Sequence, residues 1–571
     1  MRRRAVKMPD ICRLDQTTGK SDKLRRCGVL LAVISCTVMS LWPLLSSGYY
    51  SDDLVNSTIK GRVEMKGVSI WAGVVENNRE LVVDFGRLLP TYFLLTLPFA
   101  YLLPDLPPHK AAVLLLVAAN LLLFYKLMRM LVKDYHVACL AVLLMPVLFQ
   151  FRLYHDPILS LCGMMQFFMT LMMVSAMAFL KYLERRRWWY LAASLISYNV
   201  CLYFYEISIP LVVLFLILAA GVHGGGIRSA ARKVAPYVVS AVVALALAVL
   251  VRVLHDPAAR AYGGIAPHLG ASTLATALLA QLTAALPLSY HLFDPSHLFR
   301  GAGFGDIGPS AILPVIVFAL AYWYLTGRMG AVATRQLLLL GGALLLVPAL
   351  MISMSSKYQE ELEMGLGYVP VYVQYFGLAM LAICLLMLLH GKLAPRWRRV
   401  LHLAVCAALS AALLCTILDN RRVVDKANID VHYRRAALVK ALREGILAEV
   451  PDGANLLILD AYAYDPLPDV RSHLRGWAEG GYPWKNAALV YQYAAKRLSV
   501  TSDVNELAGK LAGSAGGPEA DGAYLLKIES FPAWMHRKEG YVTLSRITGM
   551  SVDAAGQLQL QTSPLMTNLP G

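Results

Sequence analysis

Two adjacent carboxylates, Asp52 and Asp53, stand in the stretch SGYYSDDLVNSTIKG, directly after an apolar run. A carboxylate beside an apolar surface has a raised pKa and can take the proton of a hydroxyl. Further polar residues stand near the ends of later apolar runs. Arg87 closes DFGR, Asp156 precedes Pro157 in FRLYHDP, and Glu206 lies in LYFYEISIP. Tyr262 lies in RAYGGIAP, and Lys357, Tyr358 and Glu361 lie in SSKYQEELEMGLGY. Arg and Lys hold phosphate, Arg through its planar fork. Tyr gives a platform for a sugar ring at an interface. A base, phosphate-binding cations and a groove at lipid level suit transfer of a group from a lipid phosphate to a hydroxyl acceptor.

Each position also has a purely architectural reading. Ser51, Asp52 or Asp53 could start a short loop helix, and Arg87 could anchor the chain to lipid head groups. Asp156 could cap the helix that follows it. Lys357, Glu360 and Glu361 could be an ordinary solvated loop. Glu206 fits such a reading least, because its neighbours are apolar and aromatic.

The elements that would position these residues are membrane helices. Of 571 residues, 57% are hydrophobic and 16% charged, more apolar surface than a soluble domain can hide. Apolar runs of about 18 residues or more recur, the length that crosses a bilayer. Spans are expected near 28–45, 110–130, 137–150, 158–180, 188–204, 207–222, 234–254, 310–326, 336–354, 370–390 and 399–418, about eleven transmembrane helices. Nine Lys and Arg residues precede the first span, which puts residues 1–27 in the cytoplasm and the Asp pair outside. The formal net charge of +16 gathers in short segments between apolar runs, as topology requires, and does not call for a nucleic-acid partner. The first outer loop covers 46–109. Within it, LLPTYFLLTLPFAYLLP (88–104) holds three Pro and is expected to be interfacial or re-entrant.

The texture changes after residue 418. RRVVDKANIDVHYRRAALVKALREGILAEV has a helical period, and PDGANLLILDAY reads as a turn and a buried strand. AYLLKIES and YVTLSRI read as further strands. Residues 419–571 are therefore expected to form a soluble extracytoplasmic α/β or α+β domain after a transmembrane domain of 28–418. The nine Cys are scattered without CxxC or Cys/His ligand spacing, so neither a disulfide framework nor a zinc site is expected.

A cytoplasmic N-terminus, one span, an outer loop opening on an acidic motif and about ten more spans resemble the GT-C fold of integral-membrane glycosyltransferases. YYSDDLVNS followed by DFGRLLP is most similar to the bacterial O-antigen glucosyltransferases of the serotype-converting type. The resemblance implies a polyprenyl-phosphate sugar donor, glucose as first guess, and a lipopolysaccharide-type glycan acceptor at the periplasmic face of the bacterial inner membrane. It gives the role of base to Asp52 or Asp53 and lets Asp156 join the site. Arg87 and Lys357, with Tyr358, become candidates for the donor phosphate or lipid, and Glu206, Tyr262 and Glu361 for substrate or support. No cofactor is required, with Mg or Mn on Asp52, Asp53 and Asp156 left open. A transporter or flippase of a lipid-linked glycan, or a non-catalytic membrane assembly protein, would share many of these features. A transporter should also carry ionisable residues deep in several helices and repeated halves.

Overall fold

The computed structural model describes residues 20–152, 156–223, 226–255, 264, 267–293, 310–326, 334–428, 432–459, 483–512, 522–530, 540–552 and 558–568. Among these, seven helices are long and apolar enough to cross a membrane: Arg26–Ser46, Leu106–Val132, Leu161–Arg185, Arg228–Leu254, Thr334–Ser353, Val371–Lys392 and Pro395–Ala427. The remaining four expected spans are helical too, but they are shorter: Tyr135–Leu148, Trp188–Leu202, Glu206–Gly221 and Ile312–Thr326. Helices of 10–17 residues reach ~15–26 Å at ~1.5 Å per residue, short of a ~30 Å hydrocarbon core. The stretch between the expected spans near 234–254 and 310–326 also contains an apolar helix, Ala271–Ala284. Its 14 residues fall below spanning length, so no long apolar run betrays it.

The helices that matter for the site are numbered here in chain order. The first loop folds into four: α1 (Asp52–Asn56), α2 (Ile59–Lys66), α3 (Ile70–Val83) and α4 (Pro90–Leu102). Ser69 caps α3, its hydroxyl accepting the Ala72 N–H at 3.2 Å. α4 begins on Pro90, contains Pro98 and has only 13 residues, ~20 Å at most. It packs Leu97 and Ala100 against Ile59, Val63 and Val74. Then follow the spanning helices α5 (Leu106–Val132), α6 (Gly226–Leu254) and α7 (Thr334–Ser353), and the short α8 (Ser356–Glu361). α9 (Pro395–Ala427) runs unbroken through the expected boundary at 418/419.

The C-terminal part holds α10 (Tyr433–Arg443), α11 (Pro483–Ala494), α12 (Val504–Ala512) and a five-stranded sheet. The strands are β1 (Asn455–Leu459), β2 (Ser499–Thr501), β3 (Ala523–Ser530), β4 (Gly540–Val552) and β5 (Leu558–Asn568), in the order β2-β1-β3-β4-β5. β1 is parallel to β2 and β3, and β3, β4 and β5 are antiparallel. Alternation along β1 divides its side chains between two faces. Leu456 and Ile458 pack with α10 and α11 through Leu438, Leu442 and Leu489. Leu457 packs with Leu507 and Leu511 of α12.

This sheet-and-helix unit is clamped to the first loop. The Arg435 guanidinium, 3% exposed, donates to the Ser57 hydroxyl at 2.7 Å and lies over the Tyr49 ring. Asn428 accepts the Gly48 N–H and donates to Ser46 O, both at 2.9 Å. Arg443 pairs with Asp105. α11 lies directly on α2, and the Gly61 N–H donates to Gln492 Oε1 at 3.0 Å. A Cβ on Gly61 would stand 2.0 Å from Ala488 O and 2.8 Å from Gln492 Cβ, so only glycine permits this approach. Gly61→Ala is expected to part α11 from α2 and speed release of the C-terminal domain by limited proteolysis. Gly342→Ala, where a Cβ meets nothing within 4 Å, is the control. Equal cleavage rates for the two variants would show that the interface absorbs the methyl group.

Candidate functional site

The two aspartates have different surroundings. Asp53 is 1% exposed and caged. Its Oδ2 lies 3.5 Å from Lys110 Nζ and 3.5 Å from His109 Nε2, both from the first turns of α5. Its Oδ1 accepts the Cys162 N–H at 2.6 Å. That N–H is aimed by consecutive left-handed residues: Leu161 at φ 70°, Cys162 at φ 49° and Gly163 at φ 71°. Two non-glycine residues in this region carry strain, and of the two it is Cys162 whose N–H donates to the carboxylate. Burial pushes the Asp53 carboxyl up, but Lys110, His109 and the Cys162 N–H more than reverse this and hold it below the ordinary carboxylate value.

The Lys110 ammonium also donates to Leu159 O at 2.6 Å. The backbone around Leu159 is fixed in turn by Asp156, whose Oδ1 accepts the N–H groups of Ile158 and Leu159 at 2.7 and 2.6 Å. Asp156 Oδ2 accepts the Arg152 N–H at 2.7 Å. Burial pushes the Asp156 carboxyl up to about 6 against these donors. Asp156 is thus a support, with both oxygens spent on its own loop, which in turn holds Lys110 against Asp53.

Asp52 is half-buried, and it follows Ser51, whose φ of 51° and ψ of −128° are costly for a residue with a Cβ. Burial and the Asp53 charge push the Asp52 carboxyl up to about 6, while Lys357 of α8 and Lys485 of α11 pull it down. A carboxylate titrating there is poised as a general base near neutral pH.

Arg87, Glu206 and Tyr358 line a cleft of about 400 Å³, within the range of small-ligand sites. Leu245, Ala248, Val249 and Val253 of α6 form one wall, and Leu245, Val249 and Val253 are exposed. Arg87, Glu206, Arg252, Ser355 and Tyr358 supply its polar groups. Arg87 donates from Nε and Nη2 to the two Glu206 oxygens, each at 2.9 Å. Gly86 turns the chain into this pair at φ 63°. The expected phosphate ligand and the expected supporting acid are therefore partners. The α8 segment connects the cleft to Asp52: Tyr358 lines the cleft, and the adjacent Lys357 acts on Asp52. Lys357 also lies 3.9 Å from Glu361. Tyr92 lies within electrostatic reach of Asp52, Asp53 and Arg87. Tyr262 lies outside the described residues.

The sequence reading did not name Lys110, Arg252 or Lys485. Lys110 was legible in PPHKAAVLLL, because an ionisable residue entering an apolar helix needs a buried partner. Nothing in YPWKNAALV marks Lys485. Mg or Mn on Asp52, Asp53 and Asp156, left open above, would compete with the groups that two of these carboxylates already meet. Both Asp156 oxygens accept backbone N–H groups, and Asp53 faces the Lys110 ammonium. Asp53, His109 and Cys162 do offer ligand atoms within 4.8 Å of one another. A thiol and an imidazole are poor ligands for hard cations, and Lys110 already supplies the positive charge. No family model matches the chain, and no curated protein matches it.

Proposed function

We propose that this chain is an integral-membrane glycosyltransferase that moves a sugar from a polyprenyl-phosphate donor to a glycan hydroxyl. The observation that carries the reading is an apolar-walled cleft that holds an Arg–Glu pair and a second arginine, with Tyr358 on its wall next to Lys357, whose charge acts on Asp52. The isoprenoid tail lies along the exposed α6 wall. The phosphate meets Arg252, whose Nη1 also donates a long hydrogen bond to Phe85 O at 3.5 Å. Arg87 with Glu206 orients the sugar hydroxyls.

The acceptor oxygen attacks the anomeric carbon as the bond from that carbon to the phosphate oxygen breaks. Its proton passes to Asp52, and the lipid phosphate leaves with its charge met by Arg252. One displacement inverts the anomeric centre. In this reading the shorter apolar helices complete a GT-C-like bundle of about eleven. The N-terminus is cytoplasmic, and the C-terminal domain is periplasmic at a bacterial inner membrane.

The test is transfer of radiolabelled glucose from polyprenyl-phosphate glucose to lipopolysaccharide glycan, in membranes carrying the chain. Arg252→Gln is expected to raise the donor concentration needed for half-maximal rate by about tenfold, the scale of one charge-assisted hydrogen bond. Absence of transfer across a panel of polyprenyl-phosphate sugars and glycan acceptors would overturn the reading in favour of a transporter or an assembly protein.

A further inference from the structure

Three segments far apart in the chain bring metal-ligating side chains to one buried point. Asp53 of α1, His109 in the first turn of α5 and Cys162 of the strained turn each offer a ligand atom, and these atoms lie within 4.8 Å of one another. The three residues are 1%, 1% and 0% exposed. His109 Nε2 faces Asp53 Oδ2 at 3.5 Å, yet among the described residues neither His109 ring nitrogen has a hydrogen-bond partner. Tyr49 and Phe99 meet the ring edge-on, with centroids 5.4 and 5.1 Å away, and hold its plane. Burying an imidazole with both nitrogens unpaired is costly, and a cation shared with Asp53 would use one of them.

A carboxylate, an imidazole and a thiolate are ligands of zinc. A tetrahedral zinc with bonds of ~2.0–2.3 Å sets its ligand atoms ~3.3–3.6 Å apart. The Asp53–His109 separation of 3.5 Å already fits, and the thiol has little more than ~1 Å to close at most. We propose that Asp53, His109 and Cys162 form a binding site for a thiophilic divalent cation of the zinc class, which competes with the Lys110 ammonium for Asp53. Binding releases the Cys162 proton, and the thiolate and carboxylate balance the two charges of the ion. The ammonium, 3.5 Å from Asp53 Oδ2 without the ion, gives up that oxygen and keeps Leu159 O, to which it donates at 2.6 Å. The bound ion fastens the first loop, α5 and the 161–163 turn to one another. The proposal stands apart from the sugar-transfer reading, in which Asp52 and not Asp53 is the base.

Cobalt(II) is the probe, because a thiolate on cobalt gives an intense near-ultraviolet charge-transfer band that oxygen and nitrogen ligands do not. The full chain is produced in cobalt-supplemented cells, so that the buried site can fill as the chain folds. It is purified in detergent without a polyhistidine tag and titrated with cobalt(II), then zinc(II). The wild type is expected to show the band at one cobalt per chain and to lose it to zinc. Cys162→Ser and Cys162→Ala should both lack it. His109→Gln should weaken cobalt binding by at least about tenfold, the least that an outer-shell partner contributes. Lys110→Met removes the competitor and should strengthen binding by about tenfold, the scale of one charge-assisted hydrogen bond. Zinc should also raise the unfolding temperature of Lys110→Met more than that of the wild type. No band in the wild type, or a band that persists in both Cys162 variants, would overturn the site. Unchanged affinity in His109→Gln would reduce it to an adventitious thiolate complex, and unchanged affinity in Lys110→Met would overturn the competition.

Discussion

Asp52→Asn is expected to slow sugar transfer by about 10²–10⁴-fold, the usual contribution of a positioned general base, with thermal stability and membrane insertion unchanged. The amide keeps the shape and loses the proton acceptor. Asp52 is the half-buried member of the pair, so its removal opens no cage of buried charge. Wild-type transfer should fall as pH drops through about 6, because burial and Asp53 raise the Asp52 carboxyl to that value and the protonated acid cannot accept the hydroxyl proton. Asp52→Glu should retain part of the rate, since it preserves the base but displaces it by one methylene. Initial rates against pH in matched membranes read both effects. Full activity in the Asn variant would remove Asp52 from the chemistry and reduce it to a loop cap.

Asp53→Asn has its largest expected effect on folding. It leaves the Lys110 ammonium, 0% exposed, without its counter-charge, and breaking a buried pair from one side costs about 3–5 kcal/mol. It also removes the charge from the acceptor of the Cys162 N–H, on which the strained turn at Leu161 and Cys162 depends. Lys110→Met should destabilise through the same pair, and the double variant should recover part of the loss because neither charge is then stranded. Thermal unfolding monitored by size-exclusion in detergent measures all three. Additive losses would show that the pair is not coupled. The pH dependence has a definite sign. The folded Asp53 carboxyl lies below its ordinary value, so its stabilisation is complete above the unfolded value of ~3.9 and is lost as pH falls through the lower, folded one.

Residue types and periods made much of this arrangement legible. The seven helices long and apolar enough to cross a membrane follow from apolar length alone, and AYLLKIES became β3 because its apolar alternation fits a strand. The Pro-rich 88–104 segment forms a helix of only 13 residues, which starts on Pro90 and contains Pro98. What could not be read is what long-range packing decides. Asp52 and Asp53 are chemically identical neighbours, and only the placement of Lys110, Cys162 and Lys485 separates a caged anion from a poised one. Arg87 and Glu206 each resemble independent ligands in sequence, since a pair separated by 119 residues leaves no local signature. Ala271–Ala284 was hidden by its length, and the continuity of α9 by the charges that begin at Asp419.

The docking of α11 on α2 also carries a consequence for biosynthesis. Gly61 and Gln492 meet across 431 residues of chain, so the first loop emerges early from the ribosome while its covering helix emerges near the end. Until the last domain has folded, α2 lacks its cover. A nascent or truncated chain therefore exposes a polar pocket that quality-control proteases can recognise. If the chain is the proposed glycosyltransferase, C-terminal truncations should be null for transfer even when every apolar helix is present.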